Sequence, residues 1–221
     1  MALAFLLNSL YLSSEPKTKV LKKILPIFSY IFHPVFIPVY ATLFYLFSNN
    51  SYFVNQEKYF VLLQTVTITI VIPVLFFFLL RYTGKIGSIM APELSERKIP
   101  LVIQCFLIIL LVRKSITIER YPELHFFFLG ALFSTMIALL LLFIKTKASL
   151  HMVGISALTL FVFGLSLHYQ TQHLYSIAFL ILMNGLVASS RIEMKAHTIK
   201  ELIIGLLLGS IPQMLLLYLW L

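Results

Sequence analysis

The sequence predicts an all-α fold, a polytopic bundle of six to seven transmembrane helices. Three observations carry that prediction: 60% of the residues are hydrophobic, only 11% are charged, and the mean hydropathy is +0.98. Soluble domains run nearer half apolar and a quarter charged, so this is the composition of a multi-pass integral membrane protein. A span needs about twenty residues to cross roughly 30 Å of hydrocarbon, which leaves little of the 221-residue chain for a soluble domain. No internal repeat divides it, and residues 1–221 read as one integral membrane domain.

The elements follow from the uninterrupted apolar runs, each helical because lipid cannot satisfy an exposed backbone. The first run covers 22–48. The stretch before it, MALAFLLNSLYL, has neither the basic start nor the small-residue cleavage site of a secretory signal. The second covers 59–81, and the third, 99–112, is short enough to require extension or tilt. Next come 124–144, 149–168 and 173–190. The seventh, 200–221, carries Gly205, Gly209 and Pro212 as interruptions. Seven spans place Lys58, Arg113, Lys114 and Arg120 on one face and the rest of the 17 Lys and Arg on the other. The positive-inside rule assigns the richer face to the cytoplasm. A net charge of +9 could suggest nucleic acid, but these basic residues flank apolar runs, where they set orientation and meet anionic head groups. The single cysteine, Cys105, lies inside an apolar run, so no disulfide framework or thiolate metal site is available.

Three polar clusters share the basic face: ELSERKIP at 93–100, KTKASLHM at 145–152 and SRIEMKAHTIKE at 190–201. Each sits at a helix end, and a helix start offers unpaired N–H groups and partial positive charge to an anion. Arg97, Lys147 and Arg191 add a forked or point-charge donor set suited to phosphate. His151 and His197, with imidazole pKa values near neutrality, then have two jobs open to them. One attacks phosphorus, and the other protonates the leaving oxygen.

The third cluster, Ser190-Arg191, five residues, His197, three residues, Glu201, resembles the third signature of the type 2 phosphatidic acid phosphatase superfamily. That signature ends in Asp where this chain has Glu. Ala148-Ser149-Leu150-His151 is similar to its second signature, Pro-Ser-Gly-His, keeping Ser and His. Arg97-Lys98-Ile99-Pro100 loosely resembles the Arg-Pro that closes the first, with Met90 where the family has lysine. The resemblance covers about 93–209. It implies a membrane lipid phosphate phosphatase that needs neither metal nor cofactor and works through a phosphohistidine. In that reading His197 is the nucleophile, Glu201 orients it and His151 protonates the leaving group. Arg97, Lys147, Arg191, Ser149 and Ser190 bind the phosphate. Its partners are membrane lipids and a lipid phosphate or polyprenyl diphosphate substrate, not nucleic acid. Removal of one such charge-stabilising donor commonly costs about 3–4 kcal/mol.

Other readings stand beside this one. Thr198 and Glu201 also form the pattern of a capping box, and a Glu201 reaching back to the cap amide is less available to His197. Basic residues at span ends ordinarily snorkel to head groups. His33, His125, His168 and His173 have no matching partners and receive no chemistry, and Arg120 and Glu123 fall on the opposite face. A chain with altered first and second signatures could also bind lipid phosphates without catalysis, or carry anionic lipids.

Overall fold

The computed structural model describes residues 23–48, 53–84 and 97–221, which form helices joined by short connections, with no strand among them. Met90, Lys17, Lys19, Lys22 and the 93–96 part of the first polar cluster lie outside the described residues. In chain order the helices are α1 (residues 23–31), α2 (Ile37–Ser48), α3 (Asn55–Val66), a π-helical turn (Thr67–Val71) and α4 (Ile72–Tyr82). They continue with α5 (Lys98–Lys114), α6 (Pro122–Phe143), α7 (Leu150–His168), α8 (Leu174–Glu193) and α9 (Ile199–Leu217). Among the described residues five helices are long and apolar enough to cross a membrane: the 28-residue run Asn55–Tyr82 and α6 to α9. With 17 residues α5 is slightly shorter.

The first apolar run is not one helix. It breaks over residues 32–36, because Pro34 has no N–H to donate and disfavours helical backbone at the residue before it, His33. Tyr40 compensates by donating its hydroxyl to the Ile31 carbonyl at 2.9 Å. The second run starts earlier than expected, at Asn55, and passes Pro73 through the π turn, a common way for a helix to absorb a lost donor. In the last run the interruptions leave α9 continuous. Pro212 cannot bond the Leu208 carbonyl, and Ser134 of α6 donates its hydroxyl to that oxygen at 2.7 Å.

Helix α7 is the most buried span and packs against α9, α8, α2 and α6. Its Ile155, Phe161, Val162 and Leu165 are almost fully enclosed, and the Phe161 ring lies 4.7 Å from that of Phe127 on α6. The closest approach is to α9. A Cβ at Gly205 would lie 2.5 Å from the Ser149 carbonyl oxygen and 3.0 Å from Met152 Cβ, and one at Gly209 would strike the Val153 carbonyl and the Ser156 hydroxyl. Small residues four apart let two membrane helices touch through their backbones. Here they bring the starts of α7 and α9 side by side, with the Ser149 amide donating to the Glu201 carbonyl at 3.1 Å. Gly205→Leu should therefore lower stability by about 1–3 kcal/mol through overpacking, read as a fall in Tm in detergent. An unchanged Tm would contradict this packing.

At the other end of the bundle Glu123 is buried and accepts hydroxyls from Tyr45 at 2.8 Å and Tyr169 at 2.7 Å, with His168 Nε2 3.2 Å away. Arg120 makes a two-pronged bond to Glu57 at 2.7 and 2.6 Å, joined by the Tyr121 hydroxyl. These contacts tie α2, α3, α6 and α7 together a membrane thickness away from the Ser149 end.

Candidate functional site

The described parts of the three basic clusters meet where α5, α7 and α9 begin and α8 ends. The loops that deliver them turn on Lys145 and Lys195, whose φ values of 57° and 51° are left-handed. Left-handed residues commonly end helices, and here they send the chain across the bundle end. Lys147 then donates its ammonium to the Ala196 carbonyl at 3.0 Å, joining the second loop to the third.

His197 is the best defined member. Its side chain is only 3% exposed, and its Nδ1 lies 2.8 Å from Glu201 Oε2. A neutral imidazole placed this way donates Nδ1–H to the carboxylate and leaves the Nε2 lone pair for chemistry. Burial pushes the His197 pKa down from 6.5 to about 4; the Glu201 hydrogen bond opposes the fall, and Lys147 and Arg191 add to it. The two roles foreseen for Glu201 coexist. The same Oε2 also accepts the Thr198 amide at 3.2 Å while the Glu201 amide donates to the Thr198 hydroxyl at 3.4 Å. The capping box therefore fixes the carboxylate that holds the imidazole.

His151 occupies the first turn of α7, with Arg191, His33 and His197 as its electrostatic neighbours. One of its ring nitrogens bonds the Ser29 carbonyl, which leaves the other for proton transfer. Arg191, on the last turn of α8, has Arg97 and Tyr30 in electrostatic range. Its Nη1 contacts Met194 Sδ at 3.7 Å, while its buried Nε has no hydrogen-bond partner. The Ser149 hydroxyl is likewise buried without a partner. Its position caps α7 but its side chain makes no capping bond, and its amide is taken by Glu201. Ser190, by contrast, spends its hydroxyl on Ser29, 2.6 Å away, so it joins α8 to α1. Burial lowers the pKa of Arg97, with Glu201 opposing. Burial and then Arg97 lower that of Lys147, again against Glu201. Arg97 and Lys147 thus lie in range of a carboxylate already bonded to His197, while Arg191 stands among Arg97, His151 and His197. Buried like charge of this kind is costly without a counter-anion, and the orphaned guanidinium and hydroxyl donors are of the kind an oxyanion accepts.

Sequence reasoning assigned His33 no chemistry, yet its ring stands edge-on to that of His151 with centroids 5.1 Å apart. The Val35 amide donates to His33 Nδ1 at 3.3 Å, so its proton is on Nε2. Ser29 and Tyr30 reach the site on the same broken segment. The signal for all three is the His-Pro pair inside an apolar run, which marks a break where a helix would otherwise pass. Among the described residues no group of three or more His, Cys, Asp or Glu is arranged to hold a metal ion. Comparison of the chain with family models, curated proteins and solved structures returns no match.

Proposed function

We propose that this protein is an integral membrane phosphatase that hydrolyses a lipid phosphate or polyprenyl diphosphate through a phosphohistidine on His197. The observation that carries the reading is the convergence of Arg97, Lys147 and Arg191 with two imidazoles, one of them backed by a carboxylate, at one end of an apolar bundle. The resemblance to the type 2 phosphatidic acid phosphatase superfamily supports it at Ser149, His151, Ser190, Arg191 and His197, and departs from the signatures at Met90, Ala148, Leu150 and Glu201.

In the first step His197 Nε2 attacks phosphorus while the bond to the lipid oxygen breaks, and His151, which takes up its proton only beside the anionic phosphate, donates it to that oxygen. Arg97, Lys147, Arg191, the Ser149 hydroxyl and the first-turn amides of α7 take up charge on the equatorial oxygens. In the second step neutral His151 removes a proton from water, the oxygen attacks the phosphoryl group, and inorganic phosphate leaves with His197 restored. Glu201 holds Nδ1–H throughout and stabilises the positive charge that forms on the phosphorylated ring. No step requires a metal or cofactor. The active face is cytoplasmic by the charge bias of the loops.

The test is release of inorganic phosphate from phosphatidate and from a polyprenyl diphosphate by purified protein in EDTA. Activity that persists in EDTA supports the proposal. A protein silent on every lipid phosphate but still binding them would instead be a lipid-phosphate-binding protein. Labelling of single cysteines placed at 82–98, in a Cys105→Ser background, fixes sidedness; reaction in intact cells with a membrane-impermeant reagent would refute the cytoplasmic assignment.

A pH profile follows from the burial of His197. A nucleophile acts when unprotonated, and the acid limb of kcat/KM reports its pKa in the free enzyme. With the substrate's own ionisation, near pH 6 for a phosphate ester, divided out, activity should persist down to about pH 4. A limb near 6.5, the value of an unperturbed imidazole, would contradict the buried, cation-flanked setting of His197.

A further inference from the structure

A groove of about 570 Å³ opens on the side of the bundle between the broken α1–α2 segment, α7 and α8. Its walls are almost wholly apolar, with Ile31, Phe32, Tyr40, Leu158, Ser176 and Phe179 among them. The rim of the groove is one residue from the candidate site. Phe32 lines the groove, and the next residue, His33, carries the ring that abuts His151. From there the groove runs toward the membrane interior. Leu158 follows His151 on α7 by about 10 Å of helix, and Phe179 precedes Arg191 on α8 by about 18 Å, at 1.5 Å per residue. The walls are fixed: Phe32 packs edge-on against Tyr40 with centroids 6.0 Å apart and against Phe179 at 6.4 Å. The Tyr40 hydroxyl is held by the Ile31 carbonyl.

We infer that this groove seats the hydrocarbon chain of the substrate, so that the site selects long-chain lipid phosphates by the length of chain lying along α7. The inference rests on the phosphatase reading above and adds the place and class of the chain. A lipid whose phosphate sits between His151 and His197 must keep its chain in an apolar medium, and the break at residues 32–36 puts Phe32 of the groove one residue from His33, whose ring abuts His151. The volume lies within the range of small-molecule sites. Each methylene removed from water contributes favourably to binding, so occupancy of the groove translates into chain-length preference.

The experiment compares kcat/KM for hexadecyl phosphate and butyl phosphate in protein reconstituted in nanodiscs. Two variants accompany wild type: Ser176→Trp, which fills the groove, and Phe179→Ala, which removes one wall without adding bulk. Substrate partitioning into the bilayer is common to all three proteins and cancels when their ratios are compared. Wild type should favour the long chain by at least about 100-fold, and each variant should lose about tenfold or more of that ratio. Wild type that hydrolyses both esters while the variants keep its ratio overturns the groove assignment alone. Wild type that hydrolyses neither overturns the phosphatase reading together with it. If Ser176→Trp does not fold, Phe179→Ala decides between the same outcomes.

Discussion

His197→Ala should lower phosphate release from a lipid phosphate by at least about 10⁴-fold, because it removes the atom to which phosphorus transfers. The effect should fall on kcat and not on binding. In the proposed mechanism Arg97, Lys147 and Arg191, on other segments, hold the phosphate oxygens, so the variant should still bind a labelled lipid phosphate with near wild-type affinity. Folding should also survive, since the α9 capping box is made by Thr198 and Glu201 and does not use the imidazole. Glu201→Gln is the informative companion. It keeps a capping acceptor but loses the charge that stabilises phosphorylated His197, and its acid limb should move to lower pH because Glu201 holds the His197 pKa up. A His197→Ala protein that retains a tenth or more of wild-type turnover would refute the nucleophile assignment.

His151→Ala should cost about 10²–10⁴-fold, the usual range for a positioned general acid, and the cost should depend on the leaving group. An alkyl alkoxide must be protonated as it departs, whereas a nitrophenolate need not be. The first-turnover release of hexadecanol should therefore collapse, whereas the first-turnover burst of nitrophenolate retains most of its rate and only the later release of phosphate slows. Equal losses in the first-turnover rate on the two esters would assign His151 to binding. His33 bears on the same result, because its ring fixes one face of the His151 imidazole and Ser29 fixes one nitrogen. A His33→Phe variant that keeps the edge-on packing should retain activity better than His33→Ala.

The fold class was legible because lipid imposes it: a chain this apolar must close its backbone bonds within helices. The meeting of Arg97, His151, Arg191 and His197 was legible from the placement of polar clusters at helix ends on one face. Two things were not. Hydropathy is blind to a missing N–H, so it shows the first run as unbroken across Pro34 and does not reveal Ser29 and His33 as neighbours of the site. The opposite error arose at Pro212, read as an interruption, because the donor that repairs it, Ser134, lies on another helix and no local pattern announces it. Glu201 shows a third case. Two roles that compete in a sequence pattern are met by one carboxylate oxygen once the loop before α9 curls His197 over the helix start.

The most direct measurement is the site of covalent phosphate. Protein quenched in alkali during turnover of a lipid phosphate and digested for tandem mass spectrometry should carry one phosphoryl group on His197, lost in His197→Gln and, with nitrophenyl phosphate as the donor, accumulating in His151→Ala, where water is no longer activated. Steady hydrolysis with no phosphoryl group on His197 at any time point, or with one on another residue, would contradict the account.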